Sequence, residues 1–140
     1  MEYRRFGDKI IFRIEKGEEV LTAIRTVCEQ ENILLASVSG IGAVGDVILG
    51  VFNSERFEYE TRQFVGDMEI VSCVGNVSAM NGETYLHLHM TVGNVTKGMV
   101  HAGHLSKAII SLTGEFILQI VDGQVDRKYS PEIGLNLIEF

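Results

Sequence analysis

The chain has 140 residues, with 12 Lys and Arg against 19 Asp and Glu, a formal charge of −7, 46% hydrophobic and 22% charged residues. This is an ordinary globular composition for one domain spanning residues 1–140, large enough to bury a core without disulfide or metal staples. The acidic balance argues against a duplex DNA partner, since nonspecific affinity comes from clustered lysines and arginines, and only Arg4-Arg5 and Arg127-Lys128 are adjacent basic pairs.

Lys9 to Glu15 reads as a first strand, ended by Lys16-Gly17. Glu18 and Glu19 then suit the first turn of a helix by complementing its dipole. Val20, Leu21, Ile24, Val27 and Cys28 recur at three- and four-residue steps, which predicts one amphipathic helix ending near Glu31. Ile33 to Ser39 reads as a buried strand. The following Gly40-Ile41-Gly42-Ala43-Val44-Gly45 satisfies the G-x-G-x-x-G spacing of dinucleotide sites. That motif works only where a helix opens on it and offers its N-terminus to a pyrophosphate. Here Val47 to Phe52 reads as another strand, so the glycines predict a tight bend.

Phe57 to Gln63 alternates like an exposed strand. Met68 to Ser78 and Thr84 to Thr91 flank Asn81-Gly82, the signature of a hairpin with a two-residue type I′ turn. A tight turn there sets Ser72 opposite Thr91, Val74 opposite His89, Asn76 opposite His87 and Ser78 opposite Tyr85. One face of this hairpin is then polar. The other carries Val71, Cys73, Val77, Leu86, Leu88 and Met90 and belongs to the core. Glu69 shares that core parity, so it is paired or a bulge shifts it. Ala108 to Val121 reads as a long strand, Asp122-Gly123 as a turn, and Val125 to Tyr129 and Leu135 to Phe140 as closing strands. The pattern predicts an α+β fold, a mostly antiparallel mixed β-sheet sandwich with one main packed α-helix.

All four histidines lie between Tyr85 and Leu105. His87 and His89 leave the same strand face, about 7 Å apart at Cα, close enough for both rings to tilt onto one ion. A third ligand is expected from a loop over Gly98 to Leu105, where glycines at 98 and 103 let the backbone approach the strand. That loop offers His104 or His101, and His104 is the preferred ligand. Three imidazoles with an open position form the donor set of a catalytic zinc site, whereas structural sites usually close with four protein ligands. Against this stands the plainer possibility that the histidines are satisfied by packing and water.

The two cysteines, Cys28 and Cys73, fall in apolar patterns without C-x-x-C spacing and read as reduced thiols. Met1 to Arg5 lacks an apolar signal core, and the most apolar run, Ile33 to Phe52, is broken by glycines and Asp46. A cytoplasmic location and no membrane span are expected.

Several stretches together resemble the PPC domain, named for its presence in plants and prokaryotes. They are Ser39-Gly40-Ile41-Gly42-Ala43-Val44, Met68-Glu69-Ile70-Val71-Ser72 with Gly75-Asn76, His87-Leu88-His89, Ala102-Gly103-His104-Leu105 and Gly134-Leu135. The resemblance implies a mixed sheet with a packed helix and, for prokaryotic members, a cytosolic homotrimer. It maps the family's three histidines onto His87, His89 and His104, leaves His101 outside, and has Ala102 where a glycine is usual. Plant members carry an AT-hook, and no such Arg-Gly-Arg-Pro segment occurs here. The histidine pattern is also similar to that of the acetolactate decarboxylase fold, where an H-x-H strand and a later histidine hold zinc.

Three functions follow as expectations. The first is a centre with one zinc or other divalent ion per chain on His87, His89 and His104, serving small-molecule binding or catalysis. There Glu115 or Glu69 would be candidates for proton transfer, and Ser72 and Asn76 for orienting a ligand carbonyl. The second is a DNA-binding or transcription-associated module, as in plant AT-hook proteins. The third is a trimeric structural domain without catalysis. The sequence names no substrate and does not decide whether the protein is an enzyme.

Overall fold

In the computed structural model all 140 residues are described. They form β1 (Glu2–Phe6), β2 (Lys9–Glu15), α1 (Val20–Gln30), β3 (Ala36–Asn53), β4 (Glu58–Met80), β5 (Glu83–Asn94), β6 (Met99–Ile120), β7 (Asp126–Ser130) and β8 (Leu135–Glu139). Six strands make one sheet in the order β1-β2-β6-β3-β4-β5, and β5 also pairs with β6. The central four strands therefore close on themselves, with β1 and β2 extending from the far half of β6. Every pairing is antiparallel, so the six-stranded sheet is not mixed, and β7 and β8 pair as a separate two-stranded sheet. The α+β class holds broadly, with the helix a minor element. No helix is long and apolar enough to cross a membrane.

The helix follows its periodicity. Val20, Ala23, Ile24, Val27 and Cys28 are buried, and the Glu19 side chain caps the N-terminus by accepting from the Leu21 and Thr22 amides. These two bonds satisfy amides that have no partner within the helix. Glu18 instead pairs with the Met1 amino group at 2.8 Å. Beneath the helix a cluster of 26 buried residues joins it to the sheet. Phe12 of β2 stacks on Phe116 of β6 with ring centroids 5.6 Å apart.

Three local expectations are corrected and one strand is added. Strand β1, with its charged sequence, carries no alternation signal and is defined by its pairing with β2. The glycine-rich stretch after Ser39 does not bend the chain away. β3 continues through it as one strand of 18 residues, absorbing the irregularity in bulges at Gly40/Gly42 and Val44/Asp46. The segments at Phe57 to Gln63 and Met68 to Ser78 fuse into the 23-residue β4, because β3 offers a partner along its whole length. Val71 is exposed rather than core, because a bulge between Ile70 and Ser72 resets the parity, turning Met68 and Ile70 inward and Glu69 and Val71 outward.

Gly42 has a φ of +150°, and a Cβ there would run into the Thr113 carbonyl oxygen of β6. Gly45, three residues on, has as its nearest neighbour Ser111 Cβ at 3.4 Å from a built Cβ. Gly42→Ala should therefore lower unfolding stability in denaturant titration by about 2–3 kcal/mol, while Gly45→Ala should change it by less than about 1 kcal/mol. Equal effects would show that β3 and β6 are not in the close approach described.

Candidate metal centre

The hairpin of β4 and β5 turns at Asn81 and Gly82, whose φ values are 55° and 83°. Both are positive, as a type I′ turn requires. The register follows from the turn: Ser72 faces Thr91, Val74 faces His89, Asn76 faces His87 and Ser78 faces Tyr85. Leu88 and Met90 point into the core, and His87 and His89 stand on the opposite face.

The third histidine does not come from a loop. After β5 the chain makes one 3₁₀ turn over Val95–Lys97, and Gly98 then takes a left-handed conformation with φ 62°. β6 begins at Met99 and returns antiparallel along β5, setting His104 directly opposite His89. The glycine at 103 lets β6 come close to β3, since a Cβ there would lie 2.7 Å from the Gly50 carbonyl oxygen. Hydrogen bonding across the closed sheet, rather than loop flexibility, positions this ligand.

Each of His87, His89 and His104 offers a nitrogen within 4.8 Å of the others. Nitrogens bound tetrahedrally to zinc lie about 3.4 Å apart, so small side-chain rotations bring these three onto one ion. The ring centroids of the three pairs are 5.3 to 5.6 Å apart. The donor chemistry fits a divalent ion. His104 Nδ1 is buried without a hydrogen-bond partner, a costly state that coordination through that nitrogen would relieve. Burial, then the neighbouring His87 and His89, pushes the His104 pKa down to about 4. Burial, then Arg127 and His89, also lowers that of His87. Both rings are thereby held in the neutral form that ligates metals.

The surroundings are aromatic and cationic. Tyr59 of β4 stacks on His104 with centroids 4.5 Å apart. Burial, then nearby Tyr85, raises the Tyr59 phenol above its usual pKa. Arg127 of β7 lies over the Tyr85 ring at 4.6 Å. Its Nε donates to Ser78 Oγ at 2.8 Å, Nη1 to the Asn136 carbonyl at 2.8 Å, and Nη2 to Asn76 Oδ1 at 2.9 Å. Sequence reasoning missed Tyr59, Tyr85 and Arg127 as members of this site. Alternation placed Tyr85 on the histidine face, but nothing local in the sequence indicates that β7 folds back onto it.

The remaining candidates fall elsewhere. His101 faces the same side as its partner Val92 and stacks on Phe64 at 3.8 Å, away from the trio. Glu115 lies in the far half of β6, opposite Arg13 and Ile41, and shares a shallow surface depression with Ser72. Glu69 is exposed, opposite Ala43 and Gly93. Neither carboxylate belongs to the three-histidine group. Asn76 does adjoin it, with its side-chain oxygen engaged by Arg127.

Comparison with solved structures finds close relatives. A candidate DNA-binding protein from Bacteroides thetaiotaomicron is 38% identical, with a TM-score of 0.95 over 99% of this chain and 96% of that one. A metal-containing protein from Archaeoglobus fulgidus is 28% identical, with a TM-score of 0.88 over 99% and 97%. A plant- and prokaryote-conserved (PPC) protein from Pyrococcus horikoshii is 33% identical, with a TM-score of 0.86 over 99% and 94%. Acetolactate decarboxylase from Bacillus subtilis shares the fold alone, at 15% identity and a TM-score of 0.57. Among curated proteins there is no significant match. The family model of the Plants and Prokaryotes Conserved (PCC) domain matches residues 1–122, and the chain belongs to that family.

Proposed function

We propose that the protein holds one divalent ion per chain through His87, His89 and His104 and uses the ion's open position to bind a small ligand. The observation that carries this is the convergence of three imidazoles, with ligand nitrogens within 4.8 Å of one another and one nitrogen buried without a partner. Imidazole suits zinc, and the relative from Archaeoglobus fulgidus is described as metal-containing. When bound, such an ion polarises a ligand oxygen and can lower the pKa of a bound water to about 7. The protein's part is to fix the rings: Tyr59 packs flat on His104, and the β5–β6 register holds His89 opposite it. Free, buried Cys28 and Cys73, both raised to about 12 by desolvation, are compatible with a cytoplasmic setting and are not ligands.

His87→Ala or His89→Ala should strip the metal, measured by elemental analysis after dialysis, while circular dichroism stays that of the parent. His104→Ala should do the same. His101→Ala should leave metal content unchanged, and full metal in the His87→Ala, His89→Ala double variant would place the site elsewhere.

For assembly we propose a homotrimer, as the family resemblance implies. An exposed apolar patch of Ile41, Val71, Val74 and Ile117 on the outer face of β3, β4 and β6 suits contact with a second copy. Sedimentation at micromolar concentration should give three chains, and a monomer would refute it.

The Bacteroides relative's description favours DNA binding as a second reading. The charge does not, since each chain carries −7 and its few adjacent basic pairs include Arg127, which is buried. Fluorescence anisotropy with AT-rich and mixed duplexes at about 150 mM salt should show no saturable binding below about a micromolar. Salt-sensitive binding in that range would promote the regulatory reading.

A further inference from the structure

The C-terminal hairpin of β7 and β8 lies beyond residues 1–122, which match the family model. It packs back along β4, the hairpin partner of the histidine-bearing β5. At one end the Ala79 amide donates to the Val125 carbonyl at 3.1 Å. At the other, Gly134 rests against Phe57, where any side chain would collide with the ring. Between these anchors β7 delivers one charged side chain to the polar face of β4 and β5. Arg127 is only 8% exposed.

A guanidinium withdrawn this far from water normally has a carboxylate against it, because an uncompensated buried charge is costly. Arg127 forms no ion pair, although nine others occur in the chain. Its three protein partners, Ser78 Oγ, Asn136 O and Asn76 Oδ1, are all uncharged acceptors. They use one N–H on each nitrogen, leaving one on each Nη of the five a guanidinium carries. Asn76 and Ser78 face His87 and Tyr85 across the β4–β5 pair, so the cation stands beside His87 on the histidine face.

A divalent ion on three neutral imidazoles would add two more positive charges next to it, and the three-histidine group contains no carboxylate to offset them. We propose that the missing charge comes from the ligand: a small oxyanion, a carboxylate or a phosphate, that fills the ion's open position and accepts from the free N–H groups of Arg127. This rests on the metal reading above and names the ligand class of that same site. Ser78, Asn76 and the Asn136 carbonyl hold the guanidinium in place, and the Tyr85 ring supports its face. The fork geometry makes arginine suited to bridging two oxygens, a role lysine does not reproduce.

Cobalt(II), whose visible bands report its ligands, is loaded into the wild type, Arg127→Gln and Arg127→Lys, and retained cobalt is counted after dialysis. All three should retain it equally, with unchanged circular dichroism. Titration with acetate, oxalate or phosphate should then shift the bands of the wild type at about tenfold lower concentration than in Arg127→Gln, as expected for loss of a charge-assisted hydrogen bond. Arg127→Lys should fall between them, and chloride at matched ionic strength should not separate the proteins. The order of the three oxyanions tells carboxylate from phosphate. If the glutamine variant does not fold, the lysine variant and the wild-type response decide. Equal midpoints in all folded proteins, or a cobalt-loaded wild type blind to every oxyanion, would overturn the oxyanion proposal while leaving the metal site standing. A wild type that retains no cobalt would overturn the metal reading itself and this proposal with it.

Discussion

The pairing of β5 with the first half of β6 is the contact on which the rest of the molecule depends. Without it the sheet would be open, with β5 as a bare edge, and His104 would stand apart from the other two histidines. With it, Met90, Val92 and Leu105 enter one core while His89 and His104 meet on the outer side. Strand alternation then links stability to chemistry: the same register that buries apolar side chains on one face sets imidazoles together on the other. A slip of one residue would exchange the faces and lose both. The backbone at Gly103 and Gly50 tightens this arrangement by allowing β6 to lie close against β3 beside the site.

Much of this was legible in local sequence. The Asn81-Gly82 turn dictates the β4–β5 register, and the period of two places His87 and His89 on one face without any long-range contact. The helix was legible from its apolar steps. What was not legible depends on partners far away in the chain. β1 is a strand because β2 lies beside it, and β3 continues through its glycines because β4 and β6 hydrogen-bond it on both sides. Val71 reverses face because one bulged residue shifts parity, and a sequence pattern has no marker for which residue bulges. His104 is legible as a ligand but not as a strand residue, since Gly98 and Gly103 resemble loop punctuation and only the pairing of β6 with β5 makes that segment a strand. Arg127 lay within an expected strand, yet only the folding back of the C-terminal hairpin shows that it faces the histidines.

The electrostatics of the site run against those of the whole chain. A protein with a net charge of −7 places its buried arginine, three imidazoles and two tyrosines on one face, with no carboxylate in the histidine group. Desolvation keeps His104 and His87 uncharged beside one fixed cation, Arg127. Such a surface suits a cation held by nitrogen donors together with an anion brought from outside. It offers little to a duplex, whose phosphates need many exposed basic groups.

X-ray absorption at the metal edge of the protein as purified tests the central claim most directly, because it reads the donor atoms themselves. The account predicts three imidazole nitrogens at about 2.0–2.1 Å with oxygen completing the shell. A sulfur shell at about 2.3 Å, fewer than three imidazoles, or a protein that carries no bound metal would contradict it.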